Sequence, residues 1–584
     1  MKRFLRIVIP MLIGVVIVSF IVMITVSQYR NHLIYDHFSD SINYELDEVY
    51  QNENSVKLWQ PINYDQQSQL FYLCKVWGFA KYFGNYDNIE DVNEALMVSL
   101  DKVLNQGKTN KEEFCDLLQN LVSSMHKDTT DGENPYPDIS DYTLISNDWM
   151  CDTICLNDNV KHLLMNLFEH YDGNNAFAKN NSSTGVVKFT QGDVIQDISD
   201  VSVRLFGLFE YWNAMNYFYP NKNYMDFSWD LSFYEAIPRF IEADNELEYR
   251  KAIYRLTNRL CDSHTSLPVT VDTFLFGEYR PEFRMELVNN RFVINKMRNP
   301  EKEDCNFEVG DIILKIGGEE PHKLYDSLQM FVCGGNDRSN QFFVCNAMLS
   351  RMETETEFVV LRGSDTLVMK SHNEKSKDLW KKQMKREKRK EKKQLYTWID
   401  NSTAYLDARS LTHKNFKKNF RPIKDAKTII LDLRCYPEQM LSVDIADHFV
   451  PSNSVFAYFV YADARYPGML RLHKPMKHIG KQNCYAGNII VLVDENTKSY
   501  SEYLTMMLQA NPKTTVVGKP TFGAVGNAKS YNFPGKTTTM YTSIGILYPD
   551  LTPTQRCGIK IDSVCHSLQY GEIFLNSLSQ PNNN

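Results

Sequence analysis

Cysteine is sparse in this sequence, with 12 residues among 584. That density excludes a disulfide-stapled scaffold, and an even count pairs none of them by itself. None precedes Cys74, so lipid attachment to an N-terminal cysteine is not expected. Positive charge is also short: 64 basic against 72 acidic side chains leave a formal net charge of -8. This is the wrong sign for broad attraction to phosphates, and no nucleic-acid partner is expected. Zinc spacing is missing as well. Cys151 and Cys155 stand four apart with no histidine or second cysteine pair nearby, which suits a local disulfide or two free thiols better than a metal site. What is present is an ordinary globular balance, 43% hydrophobic and 23% charged, which excludes bulk disorder and a many-pass membrane protein. The length suggests three or four domains at about 150 residues each.

The one long apolar run lies at the start. Lys2, Arg3 and Arg6 precede Ile7 to Val26, long enough to cross a bilayer as a helix. Secretory signals usually have shorter apolar regions with a small-residue cleavage site, so residues 1–30 are read as an uncleaved signal anchor. The basic flank stays cytoplasmic under the positive-inside rule, leaving the body periplasmic or extracellular on the inner membrane. Residues 31–65, polar and mixed, read as a stalk.

An internal repeat follows. Leu73, Cys74, Lys75, Val76 and Trp77 lead to Tyr82 and Phe83 and end at His126; Leu208, Phe209, Glu210, Tyr211 and Trp212 lead to Tyr217 and Phe218 and end at His264. Helical apolar spacing runs through both copies. They are read as two related helical hairpin units, residues 66–130 and 201–275, around a loop-rich connector over 131–200. The aromatic stripes are core packing.

From residue 276 to 374 the pattern turns to β. Phe307-Glu308-Val309-Gly310-Asp311-Ile312-Ile313-Leu314-Lys315-Ile316-Gly317-Gly318 and Phe358 to Gly363 resemble a PDZ domain, a module that binds extended peptides at a sheet edge. A plain β-hairpin with glycine turns reads similarly. The basic run in 375–394, from Lys381 to Lys393, reads as a solvated helix or linker joining domains. Over 395–578, Thr428 to Arg434 and Asn488 to Val493 are continuous apolar runs, each followed by a helical stretch. Such alternation predicts an α/β sheet.

The strand ending at Val493 passes through Asp494 to Lys498 into Ser499-Tyr500-Ser501-Glu502. A serine at a strand-to-helix turn can present its hydroxyl at the sheet's carboxyl edge, with the next N–H and the helix dipole aimed at a developing oxyanion. The plain alternative is that Ser499 or Ser501 caps the helix and Glu502 completes a capping box.

In order along the chain stand Asp262-Ser263-His264-Thr265, the PDZ-like stretch, Leu431-Asp432-Leu433-Arg434, Ser499-Tyr500-Ser501-Glu502, Gly518-Lys519-Pro520-Thr521-Phe522-Gly523 and Gly558-Ile559. This order resembles the C-terminal processing (tail-specific) serine peptidase family over roughly residues 200–575. The resemblance implies an α/β fold with a crotonase-like (ClpP/crotonase) catalytic core, a helical N-terminal domain, a PDZ-like β domain, and peptide hydrolysis by an activated serine. The family's Ser-Lys branch carries its lysine where this chain has Ala524, so the resemblance favours the tricorn-like Ser-His branch with Ser499 as nucleophile and His264 as base. Gln555 stands where that branch has a glutamate. Its amide oxygen can accept Nδ1–H but lacks the charge that steadies imidazolium; Asp262 or Asp562 is an alternative acid. The oxyanion hole is expected from Tyr500 N–H and from Tyr436 or Glu438 N–H, because Pro437 cannot donate. Ser263, Asp262 and Glu502 are supporting residues.

The leading expectation is a membrane-anchored extracytoplasmic serine peptidase that takes a polypeptide, captured in one reading by its C-terminus, and needs no metal or organic cofactor. The alternatives are a catalytically impaired peptide-binding homologue acting as an envelope scaffold, and an adaptor organised by the anchor and the basic run. For His264 the bland reading is a helix C-cap.

Overall fold

A computed structural model describes residues 59–564 apart from 85, 87, 106–109, 126–145, 175, 192–195, 270–271, 299–305, 391–394, 438 and 479–483. The expected anchor, nearly all of the stalk, His126 and Glu438 lie outside the described residues. Among those described, no helix is long and apolar enough to cross a membrane.

Two core helices carry the repeat. Helix α1 (Gln66–Phe83) begins at Asp65, whose side chain accepts Ser68 N–H; α2 (Val201–Phe218) begins at Asp200, which accepts Ser202 N–H. Both are 18 residues long, and the offset from Trp77 to Trp212 also separates the two capping aspartates. Nearly every position of each is buried, as for helices apolar all round. They cross closely at Gly78, where an added Cβ would lie 1.9 Å from Asn213 Oδ1. Among the described residues each copy holds three long helices: α1 with Ile89–Asn105 and Lys111–Met125, then α2 with Trp229–Glu242 and α3 (Glu246–Asn258). The expected hairpins are therefore three-helix units, since each aromatic core helix needs cover on more than one side. Cys151 and Cys155 are free thiols.

A five-stranded antiparallel sheet follows in the order β1 (Phe283–Val288), β2 (Arg291–Met297), β3 (Ile312–Ile316), β4 (Glu355–Arg362), β5 (Asp365–His372). Helix α4 (Asp337–Met348) packs on β1. The described part of the basic run forms a helix, Ser376–Lys390.

The last part is a six-stranded sheet in the order β6 (Tyr396–Trp398), β7 (Thr403–Asp407), β8 (Thr428–Asp432), β9 (Asn488–Val493), β10 (Thr514–Gly518) and, at the far edge, Ser563–Val564. Only β6 runs antiparallel to its neighbour. Ile429, Leu431, Ile489 and Val491 pack into the main core of this part, while Ile430, Ile490, Leu492 and Val517 cover the other face. Burial on both faces explains the continuous apolar runs. Strands β8 and β9 are parallel, with Asp432 opposite Leu492, so their carboxyl ends lie side by side. Helix α5 (Tyr500–Gln509) leaves that edge. A separate hairpin, β11 (Ala528–Asn532) with β12 (Thr538–Thr542), reaches back towards the helical units, where Tyr531 packs edge-on against Tyr211.

Candidate active site

The turn after β9 is held by its own polar groups. Asp494 N–H donates to Thr497 Oγ1 at 3.0 Å, and Thr497 donates to Leu433 O at 2.8 Å, tying the ends of β8 and β9 together. Burial, and then Glu495, push the Asp494 carboxyl up to about 6. Ser499 follows at φ 49, ψ -104, a conformation that costs a non-glycine residue about 1–3 kcal/mol and recurs at functional turns. Tyr500 is the first residue of α5, so its N–H has no intrahelical acceptor. Ser501 donates to Cys435 O and is fully buried; of the two serines, only Ser499 is partly exposed.

Glu502 is the anchor of this edge. Its buried carboxylate accepts Thr521 Oγ1–H at 2.6 Å, Gly523 N–H at 2.7 Å, Ser499 N–H at 2.8 Å and Ala524 N–H at 3.1 Å. Burial raises its pKa while these donors pull it back. The 521–524 turn is thus fastened to the serine helix. Gly523 sits there at φ +66, and a Cβ would approach Arg556 O to 2.6 Å. Ala524 leaves the Ser-Lys position empty of any base.

The same turn receives the histidine loop. Ser263 Oγ donates to Phe522 O at 3.2 Å and accepts Gly335 N–H at 2.7 Å. His264 is not a helix cap: α3 ends at Asn258, and the chain turns through Cys261 at φ 52. Beneath it, Asp262 is fully buried and accepts His264 N–H at 3.0 Å, Thr542 N–H at 2.6 Å, Thr542 Oγ1–H at 2.8 Å and Tyr219 O–H at 3.2 Å. Burial acts to raise its pKa, but His264 and the N–H groups of His264 and Thr542 hold it below the usual carboxylate range. His264 Nδ1 lies 2.7 Å from Thr542 Oγ1 and 3.6 Å from Asp262 Oδ1. The second separation is too long for a hydrogen bond.

The expected bond from His264 to Gln555 is not made. Nδ1 has one bonding direction in the ring plane, and Thr542 occupies it. Gln555 is buried at 2% exposure with neither amide atom partnered. Asp562 lies away from the histidine, accepting Val516 N–H at 2.7 Å. No hydrogen bond joins Ser499 to His264 directly. Tyr436 is half exposed; burial raises its phenol, and the Ser499 side chain beside it works in the other direction.

Two residues carry no local sequence signal. Thr542 is one threonine in a threonine-rich strand, 278 residues from its histidine. Lys498 precedes the candidate nucleophile; its Nζ lies 5.4 Å from the Phe522 ring centre and 5.5 Å from that of Phe342. Burial, then nearby Arg284, lower its pKa. Among the described residues no group of His, Cys, Asp and Glu side chains is arranged to hold a metal ion.

A mainly parallel sheet with a strained serine at the carboxyl end of a central strand defines an α/β protein in which that serine can act as a nucleophile. Residues 402–565 match the model of peptidase family S41. That stretch holds the parallel sheet from β7 onward with Ser499, Glu502 and Gln555, and it leaves His264 outside. No curated protein matches the sequence. Similar solved structures include mature CPAF complexed with lactacystin, at 11% identity over 62% of this chain and 94% of that one, TM-score 0.46. The photosystem II D1 C-terminal processing protease is 15% identical over 62% of this chain and 93% of its own, TM-score 0.39. The tricorn protease is 14% identical over 66% of this chain and 35% of its own, TM-score 0.27.

Proposed function

We propose that this protein is a serine peptidase that cleaves polypeptides through an acyl-enzyme on Ser499, with His264 as general base. The observation that carries the reading is the convergence on one turn: Glu502 of the serine helix holds Gly523 and Ala524 N–H, and Ser263 beside the histidine holds Phe522 O. In the proposed reaction, substrate enters with its scissile carbonyl over Ser499. Neutral His264 removes the hydroxyl proton, the oxygen attacks, and the oxyanion is received by Tyr500 N–H and the dipole of α5. Tyr436 borders the same space and orients Ser499. The proton then passes to the leaving amine, and water, activated in the same way, releases the acyl group.

In this reading the parallel sheet is a crotonase-like core and the five-stranded sheet is a PDZ-like module presenting the peptide, with a free C-terminus as the point of capture. Residues 7–26 anchor the protein in the inner membrane with its body outside the cytoplasm. The domain limits are those drawn from the sequence, with the last domain reaching residue 578.

The full chain should cleave an unstructured polypeptide, and Ser499→Ala should not. Equal cleavage by both would remove Ser499 as the nucleophile, and cleavage by neither would set the reading aside in favour of a peptide-binding scaffold, which the unpartnered Gln555 would suit. Cleavage of a free-ended substrate but not of its C-terminally amidated form would support capture by the C-terminus.

A further inference from the structure

We propose that Thr542 is a positioning residue that links Asp262 to His264 and fixes the imidazole with its proton on Nδ1, leaving Nε2 as the base. The available protons decide the direction of each bond. An ionised carboxylate can only accept, and a threonine hydroxyl has one proton to give. Asp262 Oδ1 lies 2.8 Å from Thr542 Oγ1, so that proton is directed to Asp262. The contact between Thr542 Oγ1 and His264 Nδ1 at 2.7 Å then has one way to be a hydrogen bond: Nδ1–H donates to the threonine oxygen. The ring's remaining lone pair is on Nε2.

Three features hold the relay in place. Thr542 is the last residue of β12, pinned to Asp262 by its own N–H at 2.6 Å. Asp262 is fully buried, so water does not compete for it, and Tyr219 O–H closes its remaining side. Asp262 also accepts His264 N–H, fixing the backbone from which the imidazole projects. When the ring takes the serine proton, the positive charge forms 3.6 Å from Asp262 Oδ1. The charge missing at Gln555 is thereby supplied from another direction, with the threonine carrying the geometry and the aspartate the field.

The kinetic part of this proposal rests on the peptidase reading; the tautomer part does not. The test uses the full chain with 15N-labelled histidine, taking the signal lost in His264→Gln as that of His264. Wild type should show protonated Nδ1 and bare Nε2, and Thr542→Val should lose that preference. In parallel, the rate at which a fluorophosphonate labels Ser499 is followed against pH. Thr542→Val should slow labelling by on the order of 10-fold or more and move the profile, and Thr542→Ser should restore both. A wild-type His264 protonated on Nε2 overturns the relay, and needs no variant to fold. So does a pH profile that Thr542→Val leaves alone while Gln555→Leu moves it. Absence of labelling in wild type, with the Nδ1 tautomer present and lost in Thr542→Val, would sink the peptidase reading and keep the relay.

Discussion

At the scale of single residues, charge burial around the serine turn has measurable consequences. The Asp494 carboxyl stands at about 6, above its value of about 3.9 in an unfolded chain. Between those values the folded protein binds more protons than the unfolded one. The stability contributed by this group is therefore full below pH 4 and lost as pH rises through 6, an effect on the order of 2–3 kcal/mol. Asp494→Asn should flatten that slope, so thermal unfolding of wild type relative to the variant should improve as pH falls from 7 to 5; parallel curves would show that Asp494 titrates normally. Glu502 gives a second case. Glutamine there turns an NH2 towards N–H or O–H donors, so Glu502→Gln should cost about 1–3 kcal/mol and slow cleavage as the turn loosens. An unchanged melting temperature would remove Glu502 from the frame of the site. As candidates, Ser499 stands out locally as a serine between strand and helix, whereas His264 is singled out only through the resemblance carried by the order of the motifs. Thr542 is singled out by neither, because a threonine in a strand is ordinary and its partner lies far along the chain. Gln555 comes from the resemblance, by its place before Gly558-Ile559, and such a match does not say which way a side chain turns.

At the scale of elements, the repeat is visible in its aromatic spacing, while its middle helix is not: Ile89–Asn105 in the first copy and Trp229–Glu242 in the second do not echo the motif residues. The two central helices meet through buried charge as well as aromatic rings. Lys81 pairs with Glu210 inside the core, and burial lowers the lysine pKa. Removing one partner strands the other, so Lys81→Met should destabilise by about 3–5 kcal/mol, while Lys81→Met with Glu210→Leu should recover most of the loss. Equal melting temperatures for single and double variants would contradict a coupled pair. Gly78→Ala should cost about 1–3 kcal/mol by overpacking against Asn213, with much of it relieved by Asn213→Ala; the same double-variant melt checks it.

At the scale of the whole molecule, the site is assembled from parts that share little sequence. Arg338 on α4 reaches Glu286 of β1 at 3.0 Å and Glu495 of the serine turn at 3.1 Å. Burial works against its charge, and the two carboxylates more than restore it. This one side chain couples the antiparallel sheet to the turn before Ser499. Arg338→Ala should raise KM for a long polypeptide more than for a short ester; equal effects on both would place the coupling in the chemistry rather than in presentation. Arg556 does similar work on the other flank, joining Gly335 O, Tyr224 O and Asp226. Such contacts between remote segments follow from tertiary packing, which is why the order of the motifs was readable but their meeting was not.

In the proposed reaction an imidazole from the helical part deprotonates the serine of the sheet. The most direct measure of that step is the position and rate of a fluorophosphonate adduct, located by mass spectrometry in wild type, His264→Ala and Lys498→Met. We expect an adduct on Ser499 in wild type, its near loss in His264→Ala, and its persistence in Lys498→Met. Undiminished labelling of His264→Ala, with loss in Lys498→Met, would contradict that step and assign the base to the lysine beside the nucleophile.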